Sequence, residues 1–209
     1  MMKKSKRVKK SNSWKIKQHR DPYFKNSKIQ GYRSRASFKL IELNKKFKFL
    51  KNNSYILDLG SAPGSWSQVA SKIANKGKIL SIDIKRMEPV NNVCFVKSDI
   101  FNPSTKAKIE SFFQRKIDVI ISDMAANTTG SKSLDSIRTN QLCSEILNCY
   151  VELLKQDGVL ISKLFMGEDF IEVKKLANSL FKNVNFFKPD SSRNESKETY
   201  LHCNTLKTL

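Results

Sequence analysis

The stretch Ser54-Tyr55-Ile56-Leu57-Asp58-Leu59-Gly60-Ser61-Ala62-Pro63-Gly64-Ser65-Trp66 decides the fold. Tyr55, Ile56, Leu57 and Leu59 form a short apolar run that predicts a buried strand. The run closes on Asp58 and Gly60. Ala62-Pro63-Gly64 then predicts a tight turn, since proline fixes φ and glycine permits positive φ. A helix is expected from Ser65 to about Asn75, with Ser65 as its N-cap. Strand, glycine turn and helix start bring backbone N–H groups and a carboxylate to one mouth of an α/β sheet. Such a mouth suits a nucleoside-bearing ligand.

A dinucleotide fold would carry G-x-G-x-x-G at this point. Here only Gly60 and Gly64 fall in the turn, with Pro63 beside the second, so no pyrophosphate cradle is evident. A carboxylate beside the turn favours a ligand with a positive end. S-adenosylmethionine carries two such groups, an ammonium and a sulfonium. The plainer alternative is an ordinary βα turn.

The rest of the chain alternates strands and helices. Helices are expected over Arg35 to about Lys46, Thr105 to Arg115, Thr139 to Leu154 and Phe170 to Phe181. Strands are expected over Lys78–Asp83, Val93–Val96, Ile117–Ile121, Val159–Phe165, Val184–Phe187 and Glu198–Cys203. Thr128 to Asp135 reads as a loop and Asp157-Gly158 as a turn. The order predicts one α/β domain with a largely parallel seven-stranded sheet, helices on both faces, and an antiparallel last strand. Asp58, Asp83 and Asp99 fall at or just past three successive strand ends, where such folds bind ligands. Lys163 lies inside an apolar strand, where a charge is costly unless compensated, or else faces outward near the strand end. Lys39 lies at the edge of a helical stripe of Ala36, Leu40, Leu43 and Phe47, where a lysine normally snorkels.

The net charge of +20 comes from 39 Lys and Arg against 19 Asp and Glu. Such an excess points to a polyanionic partner, most simply nucleic acid. Residues 1–12 are expected to be a disordered basic arm, with 13–209 a single domain whose N-terminal part extends the RNA-binding surface. There Trp14, Tyr23, Phe24 and Tyr32 alternate with cations including Arg33 and Arg35. The rings either stack on bases or pin the arm to the domain. No run is apolar enough for a membrane span, and no secretory leader is visible. The four cysteines form no C-x-x-C pair and are expected to pack as small apolar groups in a reducing cytoplasm. With two histidines, a metal site is not expected.

Asp58 to Trp66, Arg33-Ser34-Arg35-Ala36-Ser37-Phe38-Lys39, Ser122 to Asn127, Lys163 to Glu168, Lys188 to Arg193 and Ser196 to Tyr200 together resemble the FtsJ/RrmJ family. These are S-adenosylmethionine-dependent RNA ribose 2′-O-methyltransferases with a Rossmann-like class I fold. The resemblance runs from about Trp14 to about Cys203 and looks nearest to members that act on a uridine of large-subunit ribosomal RNA. It implies a catalytic tetrad at Lys39, Asp123, Lys163 and Glu198. It implies cofactor contacts at Gly64, Trp66, Asp83, Asp99 and Asp123, beside the turn residues Asp58 and Gly60 read above. It further implies a cytoplasmic monomer acting on the large ribosomal subunit. Ser61, Ser65 and Ala126 depart from the family pattern. Lys163 is expected to be the base, held neutral by burial and by Lys39. Alternatives are the same reaction on a tRNA or an mRNA cap, or a non-catalytic RNA-binding assembly factor.

Overall fold

The computed structural model describes residues 20–207, except 128 and 168, and leaves the Lys132 side chain undescribed. The basic arm 1–12 and Trp14 therefore lie outside the described residues. Along the chain come α1 (Pro22–Ile29), α2 (Ala36–Phe47), β1 (Tyr55–Leu59), α3 (Ser65–Ile73), β2 (Lys78–Asp83) and β3 (Cys94–Lys97). Next come α4 (Pro103–Phe113), β4 (Ile117–Ser122) and α5 (Lys132–Tyr150), then a 3-10 turn (Val151–Leu153) and β5 (Leu154–Phe165). The chain finishes with α6 (Phe170–Leu180), β6 (Phe181–Phe187) and β7 (Glu198–Leu206). The strands form one 7-stranded sheet in the order β3-β2-β1-β4-β5-β7-β6. β7 alone runs antiparallel to its neighbours.

Alternation along β1 sends Leu57 and Leu59 to one face and Ile56 and Asp58 to the other. Leu57 and Leu59 join a core with Leu80, Ile120, Leu160 and Leu201, covered by α4, α5 and α6. Ile56 joins Leu40, Leu43, Trp66, Val69, Ile121 and Ile161, covered by α2 and α3. Burial on both faces is why β1, β2 and β4 read as largely apolar runs, broken by single polar residues.

Four local expectations are corrected. Gly64, not Ser65, is the N-cap of α3; its φ of 103° lets the helix begin at once, and the Ser65 hydroxyl instead meets Ser34 Oγ at 2.7 Å. The loop expected before Asp135 is already helix from Lys132, because Ser131 Oγ accepts the Leu134 N–H. Asp157-Gly158 is not a turn between elements: β5 starts at Leu154 and runs through it, with a register shift against β4 between Ile117 and Val119. A Cβ on Gly158 would approach the Lys155 carbonyl at 2.8 Å, so glycine accommodates the bulge. Lastly, Cys143 and Cys203 are buried, but Cys94 and Cys149 are exposed.

Candidate active site

β7 reverses direction and so delivers its first residue, Glu198, to the carboxyl end of the parallel strands. Lys163 pairs across the ladder with Tyr200, and Phe165 with Glu198. Period two then places Lys163, Phe165, Glu198 and Tyr200 on one face, facing α2. Asp123 follows β4 immediately, and Lys39 comes down from α2. The four side chains lie far apart in sequence and converge. Lys163 Nζ stands 2.7 Å from Asp123 Oδ1 and 3.3 Å from Glu198 Oε2, and Lys39 Nζ stands 2.6 Å from Glu198 Oε1. Lys163 is only 8% exposed, so it faces the site and not solvent.

Two amines and two carboxylates compensate each other in this buried cluster. Burial pulls the Lys163 amine toward neutrality, but Asp123 and Glu198 outweigh it, and its pKa is raised overall. This corrects the expectation of a neutral Lys163: Asp123 and Glu198 favour its charged form. The physical reason is that both of its nearest charged neighbours are carboxylates, while Lys39 is engaged by Glu198. Burial pushes Glu198 up, yet Lys163 and Lys39 together with the Lys39 and Ser192 hydrogen bonds bring it down to about 2. Ser192 Oγ donates to Glu198 Oε1 at 2.9 Å.

The glycine turn stands beside this cluster. Gly60 and Gly64 both hold positive φ, 71° and 103°. A Cβ on Gly60 would strike Met124 Cγ at 1.9 Å, and one on Gly64 would strike Arg33 Nη1 at 2.4 Å. Asp83 accepts the Ala62 N–H on one oxygen and the Lys85 N–H on the other. Asp99 is exposed beyond β3 and accepts from Phe101 N. Asp58 and Trp66 lie beneath the turn instead of on its surface. Asp58 is 1% exposed and takes a 2.6 Å bond from Ser67 Oγ; Trp66 is 3% exposed and donates its indole N–H to Ala36 O. Burial pushes the Asp58 carboxyl up to about 7, against the Ser67 bond and with help from Asp123 and Asp83. The backbone-lined turn, with Asp83 and Asp99 at the neighbouring strand ends, fits a nucleoside-bearing ligand whose ribose needs acceptors, as S-adenosylmethionine's does, while Asp58 underlies the turn from within.

Two features went unread in the sequence, the Tyr200 hydroxyl and the roles of Arg33 and Arg35, while Tyr23 and Tyr32 take the pinning role that was one of two readings. Tyr200 is fully buried, and its hydroxyl donates to Asp123 Oδ1 at 2.5 Å while its ring lies 5.6 Å from that of Trp66. An aromatic on a strand signals core and nothing more. Arg33 and Arg35, grouped above with RNA-facing cations, are directed inward. Arg33 donates to the carbonyls of Pro63, Glu88 and Pro89, strapping the turn to the loop after β2. Arg35 pairs with Asp21 and donates to Ser191 O. Tyr23 and Tyr32 pack on Phe38, at 5.5 and 6.0 Å between ring centres, so these two rings pin the segment to α2. Among the described residues no group of His, Cys, Asp and Glu gathers to hold a metal ion, and no helix is long and apolar enough to cross a membrane.

Known proteins resemble the chain over most of its length. The chain is 45% identical over 197 residues to the Ribosomal RNA large subunit methyltransferase E of Pelagibacter ubique, covering 94% of this chain and 97% of that one. The Rickettsia akari protein of the same name is 43% identical over 202 residues, covering 94% and 89%. A Plasmodium falciparum structure, provisionally described as a ribosomal RNA methyltransferase, superposes with a TM-score of 0.76 at 35% identity, covering 84% of this chain and 98% of that one. Human methyltransferase-like protein 13 in complex with SAH shares the fold alone, at 15% identity and a TM-score of 0.57, covering 81% and 79%. The FtsJ-like methyltransferase family matches residues 32–206, and the chain belongs to that family.

Proposed function

We propose that the protein transfers the methyl group of S-adenosylmethionine to the ribose 2′-hydroxyl of a uridine in large-subunit ribosomal RNA. The observation that carries this reading is the buried lysine held between two carboxylates, with a second lysine on the far oxygen of one of them. A ribose hydroxyl is a weak acid, and the methyl donor is already activated. The protein's work is therefore alignment and removal of one proton. S-adenosylmethionine supplies the methyl and a fixed positive charge at its sulfur. Lys163 takes the hydroxyl proton as the new O–CH3 bond forms and the S–CH3 bond breaks. It can do so only after giving up the proton that Asp123 and Glu198 favour on it. A bound sulfonium would offset the carboxylates' hold on the amine and lower that cost. Asp123 orients Lys163, and Glu198 fixes Lys39 so that both amines face the ribose. Asp58, Gly60, Gly64, Trp66, Asp83, Asp99 and Asp123 form or underlie the cofactor cradle.

The curated relatives named for large-subunit ribosomal RNA and the +20 charge support the substrate. The same reading places the reaction in the cytoplasm, on the assembled subunit, with the protein as a monomer. Lys163→Ala is expected to abolish transfer while S-adenosylmethionine still binds by calorimetry; retained transfer rejects the base assignment. Mapping 2′-O-methyl sites in RNA from cells lacking the gene separates this substrate from tRNA or cap, and both from a non-catalytic assembly role.

A further inference from the structure

Past Lys163 the β5–β7 ladder ends in an open cleft that the tetrad does not use. Its volume is about 530 Å³, within the roughly 300–1,000 Å³ of small-molecule sites. Phe165 and Met166 form one wall, and Ser136 and Ile137 of α5 form the other. Phe165 shares its face with Lys163 and lies two residues further on, about 7 Å along the strand. Ser196 and Lys197, which lead directly into Glu198, close the floor; Met166 N donates to Lys197 O at 3.0 Å. The cleft thus adjoins the tetrad through the chain neighbours of Lys163 and Glu198, although none of the four side chains lines it.

Its chemistry differs from the rest of the surface. Met166 and Ile137 are each 46% exposed, apolar side chains left open to water. Among the described residues, Asp135, Asp169 and Glu195 outnumber Lys197 around it, on a chain with twice as many cations as acids. An acidic rim repels phosphate but accepts N–H groups. Ser136 Oγ, also in the wall, is buried without a hydrogen-bond partner in the protein. Apolar walls, N–H acceptors and an unmatched hydroxyl describe a seat for an unpaired nucleobase and not for the RNA backbone.

We propose that this cleft holds the base of the nucleotide whose ribose faces Lys163, so that the base is drawn out of its stack and fixes the hydroxyl's position. The inference rests on the ribose reading above and names a part of the site that reading leaves unassigned. Its test uses the full chain, S-adenosylhomocysteine and a short ribosomal RNA hairpin, with an abasic ribose placed in turn at each loop position. At one position, loss of the base is expected to weaken wild-type binding roughly tenfold. Ile137→Ala/Met166→Ala is expected to weaken binding of the intact hairpin by a similar factor. The same double variant should lose nothing further on the hairpin abasic at that position, since both changes remove one interaction. A variant that weakens intact and abasic RNA equally overturns the proposal, as does one that leaves intact RNA unaffected. Nucleoside analysis after transfer to the intact hairpin judges the ribose reading separately. A methyl group on a base would reject that reading whatever the binding cycle shows.

Discussion

Tyr200 shows how much one buried hydroxyl can decide. Its O–H meets the same Asp123 oxygen that Lys163 uses, so Asp123 Oδ1 is shared between an amine and a phenol. Lys39 Nζ also lies 5.8 Å from the Tyr200 ring, which places the ring beneath that lysine. Tyr200→Phe keeps the ring and removes the donor. The loss should cost about 1–2 kcal/mol of stability, read by denaturant unfolding, because a buried acceptor loses one partner. Transfer rate at saturating substrate should fall while the KM for RNA holds steady. An unchanged rate would make the hydroxyl a structural bond only. At this scale the tetrad was legible through family likeness more than through physics. Spacing gave Lys39 only the edge of an apolar stripe, and Lys163 could equally have faced outward. That the Lys163 pKa is raised could not be read from sequence, because it depends on two carboxylates reaching it from positions 123 and 198.

Elements were more legible where the sheet is buried on both faces. β1, β2 and β4 announce themselves as largely apolar runs because almost every position on them, apart from their first or second residue, is buried. Misreadings cluster where tertiary pairing overrides local chemistry. Asp157-Gly158 is a strong turn dipeptide, yet pairing with β4 carries β5 straight through it as a bulge. α1 was missed because only Ser27 of its residues is buried, so it shows no apolar stripe. Its start was nonetheless written in Asp21-Pro22: Asp21 Oδ1 accepts two N–H groups of the first turn, with proline at the first helical position. The turn from β1 into α3 is the element on which the cradle depends. Gly64→Ala would force a side chain into φ 103° and against the Arg33 guanidinium and Met87. We expect roughly 1–3 kcal/mol of destabilisation and a loss of S-adenosylmethionine affinity, both measurable by thermal shift with and without the cofactor. Full affinity in this variant would show that the turn does not shape the cradle.

For the molecule as a whole, stability should carry a pH signature from Asp58. Its carboxyl titrates near 7 in the folded protein and near 3.8 in an unfolded chain. Between those values the folded state holds a proton that the unfolded state has released, so this group's contribution is full below about pH 4 and is lost as pH rises through about 7. Asp58→Asn cannot ionise. The variant's melting temperature relative to wild type should therefore climb from pH 4 to pH 7 and stay level above it. A flat difference across that range would mean that the carboxyl is not desolvated as its place beneath the turn implies. The order of the sheet has a consequence of a different kind. β7 comes last along the chain yet occupies a slot between β5 and β6, and it brings Glu198 and Tyr200 with it. Until that strand is threaded in, a growing chain has a split sheet, and Lys163 lacks Glu198 and Tyr200 beside it. A chain stopped before β7 is therefore expected to leave Lys39 and Lys163 without the carboxylate that joins them.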